Sequence, residues 1–434
     1  MQISIEAKQN AQALLDFIDL SPSPWHAVAT TATALQNQDF VELQESTTWQ
    51  LKAGEKYFVV RDGGSIIAFV LGQQALADSG FRIIGAHTDS PGLRLKPKAA
   101  YSTEGLAQLG VEVYGGPILA TFTDRDLSLA GRVVVKKAQG FSTRLIKLDQ
   151  AVARLPNLAI HMNREVNEKG LVLNKQTGLP LIFGHATNTE TAKQLLTEAL
   201  SNTLQVAADD ILSWDLALYD VQKGSFWGLE QEFLANSQLD NLASCHAALE
   251  ALLTTDNPQS TLICALFDHE EVGSESTTGA GGSFLLDVIE RVCHHTKLSQ
   301  EEKLRSLANS FFISADMAHA FHPNHAGSYE PCHHVYVNQG PVIKTNANQR
   351  YSTNAQTAAR FMHLCEQAGV PFQQYAHRTD LGCGSTIGPI MAAQLGIATV
   401  DVGNPIWAMH SIRESAGVAD HRYMIEVLKQ HYTS

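Results

Sequence analysis

Apolar positions in AKQNAQALLDFIDL, residues 7–20, recur at three- and four-residue spacing, so this stretch reads as an amphipathic helix. The runs then shorten. KYFVVRD, SIIAFVLG and FRIIGAHTD are rich in β-branched and aromatic residues and end in turn formers, as short strands do. From 94 to 232 the texture changes to strand-like pieces (VEVYGG, GRVVVKKA) broken by turn signals (YGGP, KQTGLP), with one helical pattern in TNTETAKQLLTEAL. After 232 the alternation returns: a helix in LDNLASCHAALEALL, then the apolar runs TLICALF, SFFISAD and IATVDVG with helical segments between them. Strands separated by helices imply a mostly parallel sheet with helices on both faces. The expected architecture is therefore an α/β domain made of residues 1–93 and 233–434, interrupted by a mainly β insert at 94–232.

At 434 residues the chain exceeds the size at which one hydrophobic core stops growing, in keeping with two domains. A net charge of −13 argues against broad contact with nucleic acid, which needs a basic face. The six cysteines are scattered with no C-x-x-C pair, a distribution that suits reduced thiols. No run of 18 apolar residues appears, and the first 25 residues carry Glu6, Lys8 and Asp16 within their apolar pattern, unlike a signal peptide. A soluble cytoplasmic protein without membrane or nucleic-acid partners is expected.

GAHTDSPGLRLKP places His87 and Asp89 at the end of an apolar run. They can be loop groups, an end cap and an Asx turn, or a metal site in which His87 binds the ion and Asp89 orients the imidazole. Further donors appear at corresponding places. TLICALFDHEEVGSE runs from a strand into Glu270 and Glu271, SFFISADMAHA into Asp316, and DVGNPIWAMHSIRE delivers His410 a few residues past a strand. SQLDNLAS puts Asp240 at a helix start, where capping is the ordinary role. In open α/β sheets ligands bind beyond the carboxyl ends of the strands. Two histidines and three carboxylates, with Glu270 and Asp89 in reserve, suit a pair of divalent ions sharing one bridging carboxylate. Adjacent glutamates can then divide the work, one on metal and one as general base toward the water between the ions. HEEVG lacks a second histidine four residues on, so the pattern differs from single-zinc H-E-x-x-H proteases and His269 is not expected to be a ligand.

GAHTDSPGLRLKP, LDN, FDHEEVGSES, SADMAHA, GPVIKTNANQRYST and AMHSIRE together resemble, in order and over nearly the whole chain, the M18 aminopeptidases of the aspartyl aminopeptidase group. The resemblance implies a di-zinc exopeptidase that removes acidic first residues from peptides with a free N-terminus. It implies one Zn²⁺ on His87, Asp240 and Asp316, and a second on Asp240, Glu271 and His410. Co²⁺ or Mn²⁺ could substitute. Glu270 would be the general base and Asp89 would orient His87. His319, Lys344 and Tyr351 would contact substrate, as would His161, offered by the inserted domain of a neighbouring subunit in a tetrahedral dodecamer. The chain departs from the family pattern around Cys383 in HRTDLGCGSTIG, where the wall of the specificity pocket is expected.

HAFHPNH imitates a metal tract, but Pro323 breaks any helix that would align His319, His322 and His325, and only His319 is retained, on the resemblance. His294 and His295 read as solvated. STTGAGGSF lacks the Lys-Ser/Thr ending of a phosphate loop and reads as a turn. Two alternatives to acidic specificity stand at this stage: an aminopeptidase for neutral, Leu-type first residues, and a non-catalytic particle stabilised by metal.

Overall fold

The computed structural model describes residues 3–434, which divide into two compact units. One comprises the chain up to Asp89, Gly224–Met409 and Glu414–Ser434; the other comprises Ser90–Lys223 and His410–Arg413. The breaks fall at 89/90 and 223/224, a few residues before the changes of texture at 94 and 232. Among the described residues no helix is long and apolar enough to cross a membrane.

The first unit is built on nine strands: β1 (Val41–Leu43), β2 (Lys56–Arg61), β3 (Ser65–Val70), β4 (Phe81–His87), β5 (Thr261–Phe267), β6 (Phe311–Ala315), β7 (Val342–Thr345), β8 (Gln373–Ala376) and β9 (Ala398–Gly403). They are ordered β1-β2-β3-β5-β4-β6-β9-β7-β8. The centre, β5-β4-β6-β9, is parallel. Toward the edges the sheet is mixed: β2 and β5 both pair antiparallel with β3, and β7 antiparallel with β9. The predicted parallel sheet is thus the middle of a mixed one.

Both faces of that sheet are covered. Along β5, Leu262, Cys264 and Leu266 enter one apolar core while Ile263, Ala265 and Phe267 enter another, as the two-residue repeat of a strand requires. The first core takes the buried sides of helices α1 (Ile5–Asp19), α2 (Pro24–Gln36), α3 (Leu239–Leu253), α5 (Ala355–Ala368) and α7 (Val418–Thr433); the second takes α4 (Phe284–His295) and α6 (Ile387–Leu395). Strands buried on both sides read as unbroken apolar runs, which is why TLICALF shows no alternation in sequence. A small five-stranded sheet in the same unit ends on Ala318–His319.

The second unit is a six-stranded antiparallel sheet with the helix Thr189–Leu204, whose Ala192, Leu196, Leu200 and Leu204 are buried in its core. Asn188 caps that helix by accepting from the Thr191 N–H.

Candidate active site

Three neighbouring parallel strands end together. His87 closes β4 and is in register with Phe267, the last residue of β5; Asp316 follows β6, on the other side of β4. Glu270 and Glu271 start the short 3-10 turn after β5. The strand order therefore brings an imidazole and three carboxylates to one sheet edge from segments far apart in sequence. Asp240 arrives from α3. Its backbone is non-helical, as is that of Asn241, and the cap position belongs to Gln238, so Asp240 does not cap the helix. The Asp240 N–H instead donates to the Glu414 carboxylate (2.9 Å), and the Asn241 amide donates to the Ala315 carbonyl (2.9 Å), tying this segment to the end of β6.

His87 Nε2 lies 3.5 Å from Asp240 Oδ1, 3.5 Å from Asp316 Oδ1 and 4.0 Å from Glu270 Oε2. Potential ligand atoms of His87, Asp240 and Asp316, and of His87, Glu270 and Glu271, lie within 4.8 Å of one another. The other ring nitrogen is held from behind: Nδ1 donates to the Asp89 carbonyl at 3.0 Å, with the Asp89 carboxylate 3.5 Å away. That carboxylate accepts from the backbone N–H of Glu270 (3.0 Å) and of Glu271 (3.1 Å). Asp89 thus holds the ring through its backbone and the glutamate turn through its side chain.

The electrostatics of the cluster favour a cation. Although burial alone pulls His87 down, the carboxylates of Asp240, Asp316 and Asp89 raise it well above the usual imidazole range. Burial, with the charges of Asp316, Glu271 and Asp89, pushes Glu270 up to about 8 against the opposing effect of His87. So many buried carboxylates beside one imidazole hold protons unless divalent cations take their place. The donor set, one imidazole nitrogen and several carboxylate oxygens, is the kind zinc accepts. His410 belongs to the second unit, where its Nδ1 donates to the Gly116 carbonyl (3.0 Å), which puts the lone pair on Nε2.

Beside the cluster is a second group. Lys344 on β7 is 2 % exposed, and its ammonium donates to Asp316 Oδ2 (3.3 Å) and the Met317 carbonyl (3.1 Å), 5.0 Å from the Tyr351 ring. The lysine is thereby tied to the carboxylate cluster through Asp316. His319, its charged form disfavoured by burial and by Lys344 and His377 to a pKa of about 4, stands 6.0 Å from Tyr375 and 6.2 Å from His377, ring centroid to centroid. Sequence reasoning named Lys344, Tyr351 and His319 but missed Tyr375 and His377; the signal was the strand-like QQYAH, whose alternate residues Tyr375 and His377 share one face. Asp401, fully buried, was missed too. It accepts from the Ser352 N–H (2.6 Å), the Ser352 hydroxyl (2.5 Å) and the Thr386 hydroxyl (2.5 Å), fixing the loop that carries Tyr351. Gly388 lets the carboxylate in, since a Cβ there would meet it at 2.3 Å. His161 lies in the second unit on the exposed 3-10 turn Ile160–Met162.

The family model described as aminopeptidase I zinc metalloprotease (M18) matches residues 17–432. A relative from Ectopseudomonas mendocina (strain ymp), named "Probable M18 family aminopeptidase 2", is 46% identical over 426 residues, 98% of this chain and 98% of that protein. One of the same name from Pseudomonas aeruginosa (strain UCBPP-PA14) is 46% identical over 426 residues, again 98% of each. Among solved structures, the fold is similar to that in "Cryo-EM structure of the Ape4 and Nbr1 complex", with a TM-score of 0.95 at 37% identity over 100% of this chain and 88% of that one. It is also similar to "Structure of S. cerevesiae mApe1 dodecamer", with a TM-score of 0.86 at 28% identity over 98% and 96%.

Proposed function

This chain belongs to the M18 family of zinc metallo-aminopeptidases, and on that premise we propose that it removes acidic first residues, Asp or Glu, from peptides with a free N-terminus, with Glu270 as general base. The observation that carries the reading is the crowding of buried carboxylates around His87, which calls for divalent charge. His87, Asp240 and Asp316 would hold one zinc ion, and Asp240, Glu271 and His410 the other, with Asp240 shared. Two such ions supply Lewis acidity for the scissile carbonyl and for a water beside it, and Co²⁺ or Mn²⁺ can replace them. Glu270 would take the proton of the attacking water and return it to the leaving amine, two transfers open to a carboxylate whose Oε2 lies 4.0 Å from the His87 ring. Asp89 keeps that base and the His87 ring in place.

The first residue's side chain would meet Lys344, Tyr351 and His319. His161 would come from a neighbouring subunit of a homo-oligomer, for which a tetrahedral dodecamer is our choice because one similar structure is described as a dodecamer. The insert at 94–232 would then serve as oligomerisation and lid domain. Exposed apolar residues beside His161 support that role, as Leu158 is 68 %, Ile160 47 % and Met162 76 % exposed. A cytoplasmic location suits the six free cysteines.

The test is a panel of amino-acyl anilides before and after dialysis against chelator. Asp and Glu anilides should be cleaved best, activity should vanish on chelation, and Zn²⁺, Co²⁺ or Mn²⁺ should restore it. Full activity in metal-free protein would remove the mechanism; a preference for Leu anilide would remove the acidic specificity and leave the aminopeptidase.

A further inference from the structure

We propose that His377 is a specificity-determining residue, its Nε2–H donating to the side-chain carboxylate of an acidic first residue. The inference rests on the acidic reading above and extends it to a residue that the family resemblance did not supply.

Four observations converge on this ring. His377 Nδ1 is 2.6 Å from the Tyr375 hydroxyl. Its Nε2 is buried with no hydrogen-bond partner among the described residues. Its ring centroid stands 6.2 Å from that of His319. Finally, Tyr375 is the register partner of Lys344 across the parallel pair β7 and β8, so the lysine and the Tyr375–His377 pair rise from adjacent strands.

The chemistry of the pocket needs such a donor. A carboxylate accepts up to about four hydrogen bonds and loses its water on entering. Lys344 has three N–H groups, and two are engaged by Asp316 and the Met317 carbonyl. It offers charge but only one remaining donor. His319 is held neutral. Burial keeps the Tyr375 hydroxyl protonated and able to donate to Nδ1, and in that tautomer the His377 ring carries its proton on Nε2, as a donor. A buried donor without an acceptor is costly, and an incoming carboxylate removes the cost. A Leu side chain would leave it in place. The same nitrogen therefore attracts the acid and penalises the aliphatic residue.

The test compares kcat/KM for Asp, Asn and Leu anilides in the metal-loaded wild type and in three variants. In His377→Phe the Asp-to-Leu ratio should fall roughly tenfold or more, mainly through KM on the Asp substrate, as loss of a hydrogen bond to a charged group implies. His377→Gln, whose amide can reach the Nε2 position, should recover the ratio to within about threefold of wild type. Tyr375→Phe, which releases the tautomer, should fall between them. A wild type that prefers Leu overturns the acidic reading and this inference together. A wild-type preference for Asp that survives intact in His377→Phe overturns this inference alone, as does an equal loss on all three substrates, which would make the ring a packing element. Matching thermal unfolding curves for the Gln variant and wild type separate specificity from folding.

Discussion

Asp89 shows how much one residue at a strand end can organise. Its carbonyl accepts from the His87 ring, and its two carboxylate oxygens accept from the successive N–H groups of Glu270 and Glu271. The proposed base and a proposed ligand are thus oriented by one side chain, and neither backbone N–H can turn away without breaking a bond to a buried anion. Sequence alone pointed to Asp89 as the partner of His87, two positions away. It could not show the partners of the carboxylate, 181 and 182 positions away, because those depend on β4 and β5 being neighbours. Glu270 itself gives the sharpest residue-level prediction. Glu270→Gln keeps the size and the backbone hydrogen bond but cannot take a proton, so turnover should drop by at least ~10²-fold while bound zinc, measured by elemental analysis, stays at the wild-type level. Wild-type turnover would mean that another group is the base, and loss of zinc would move Glu270 among the ligands.

Among the elements, the strands behind the candidate site were legible, since their apolar runs end at or shortly before His87, Glu270 and Asp316. The direction of the outer strands was not read. β2 and β3 form an antiparallel hairpin across Asp62–Gly64, with Asp62 and Gly63 in left-handed backbone, and the DGG between two apolar runs was the available signal. Helix pairing was also beyond the sequence. His246 on α3 and His421 on α7 sit among apolar neighbours, and only the packed helices reveal that His246 Nδ1 and His421 Nε2 share one hydrogen bond of 2.9 Å, with Phe17 of α1 5.3 Å from the His246 ring. Such a bond requires the accepting ring to be neutral. Burial lowers His246 to about 4 and His421 well below its usual value, helped there by His246; Glu250, 3.9 Å from His246, is the nearest carboxylate. As pH falls from 6.5 toward 4 the unfolded chain binds a proton at His246 that the native one does not, and His421 acts in the same direction, so stability is complete above 6.5 and is lost as pH falls. Denaturant unfolding across that window should show the loss, and a double variant, His246→Leu with His421→Met, should flatten it. Equal slopes in the variant and the wild type would take the pair out of the acid response.

At the scale of the whole molecule, the surface and the site pull in opposite directions. A chain of net charge −13 repels acidic peptides at long range, so the proposed acceptance of an acidic residue would have to be arranged locally, by Lys344 and the donors around it. The surface also carries a feature that the sequence could not distinguish from core. PNLAIHMN has the composition of a buried segment, yet Leu158, Ile160 and Met162 are exposed in the fold. Apolar side chains left out on both sides of His161 are what a subunit contact would use, and a histidine there would be carried into whatever it touches. This leads to a complementation experiment. Glu270→Gln subunits lack the base but keep His161; His161→Ala subunits lack the histidine but keep the base. If His161 acts on a neighbour, co-assembly at equal amounts creates sites with an intact base and an intact borrowed histidine, roughly a quarter of all sites when subunits mix at random. Activity should then exceed the sum of the two parent assemblies by about that fraction of wild type, and it should do so only when mixed oligomers are confirmed by tag pull-down. No excess in verified mixed oligomers would place His161 in its own subunit's chemistry or outside catalysis, and the exposed apolar segment would then need another occupant.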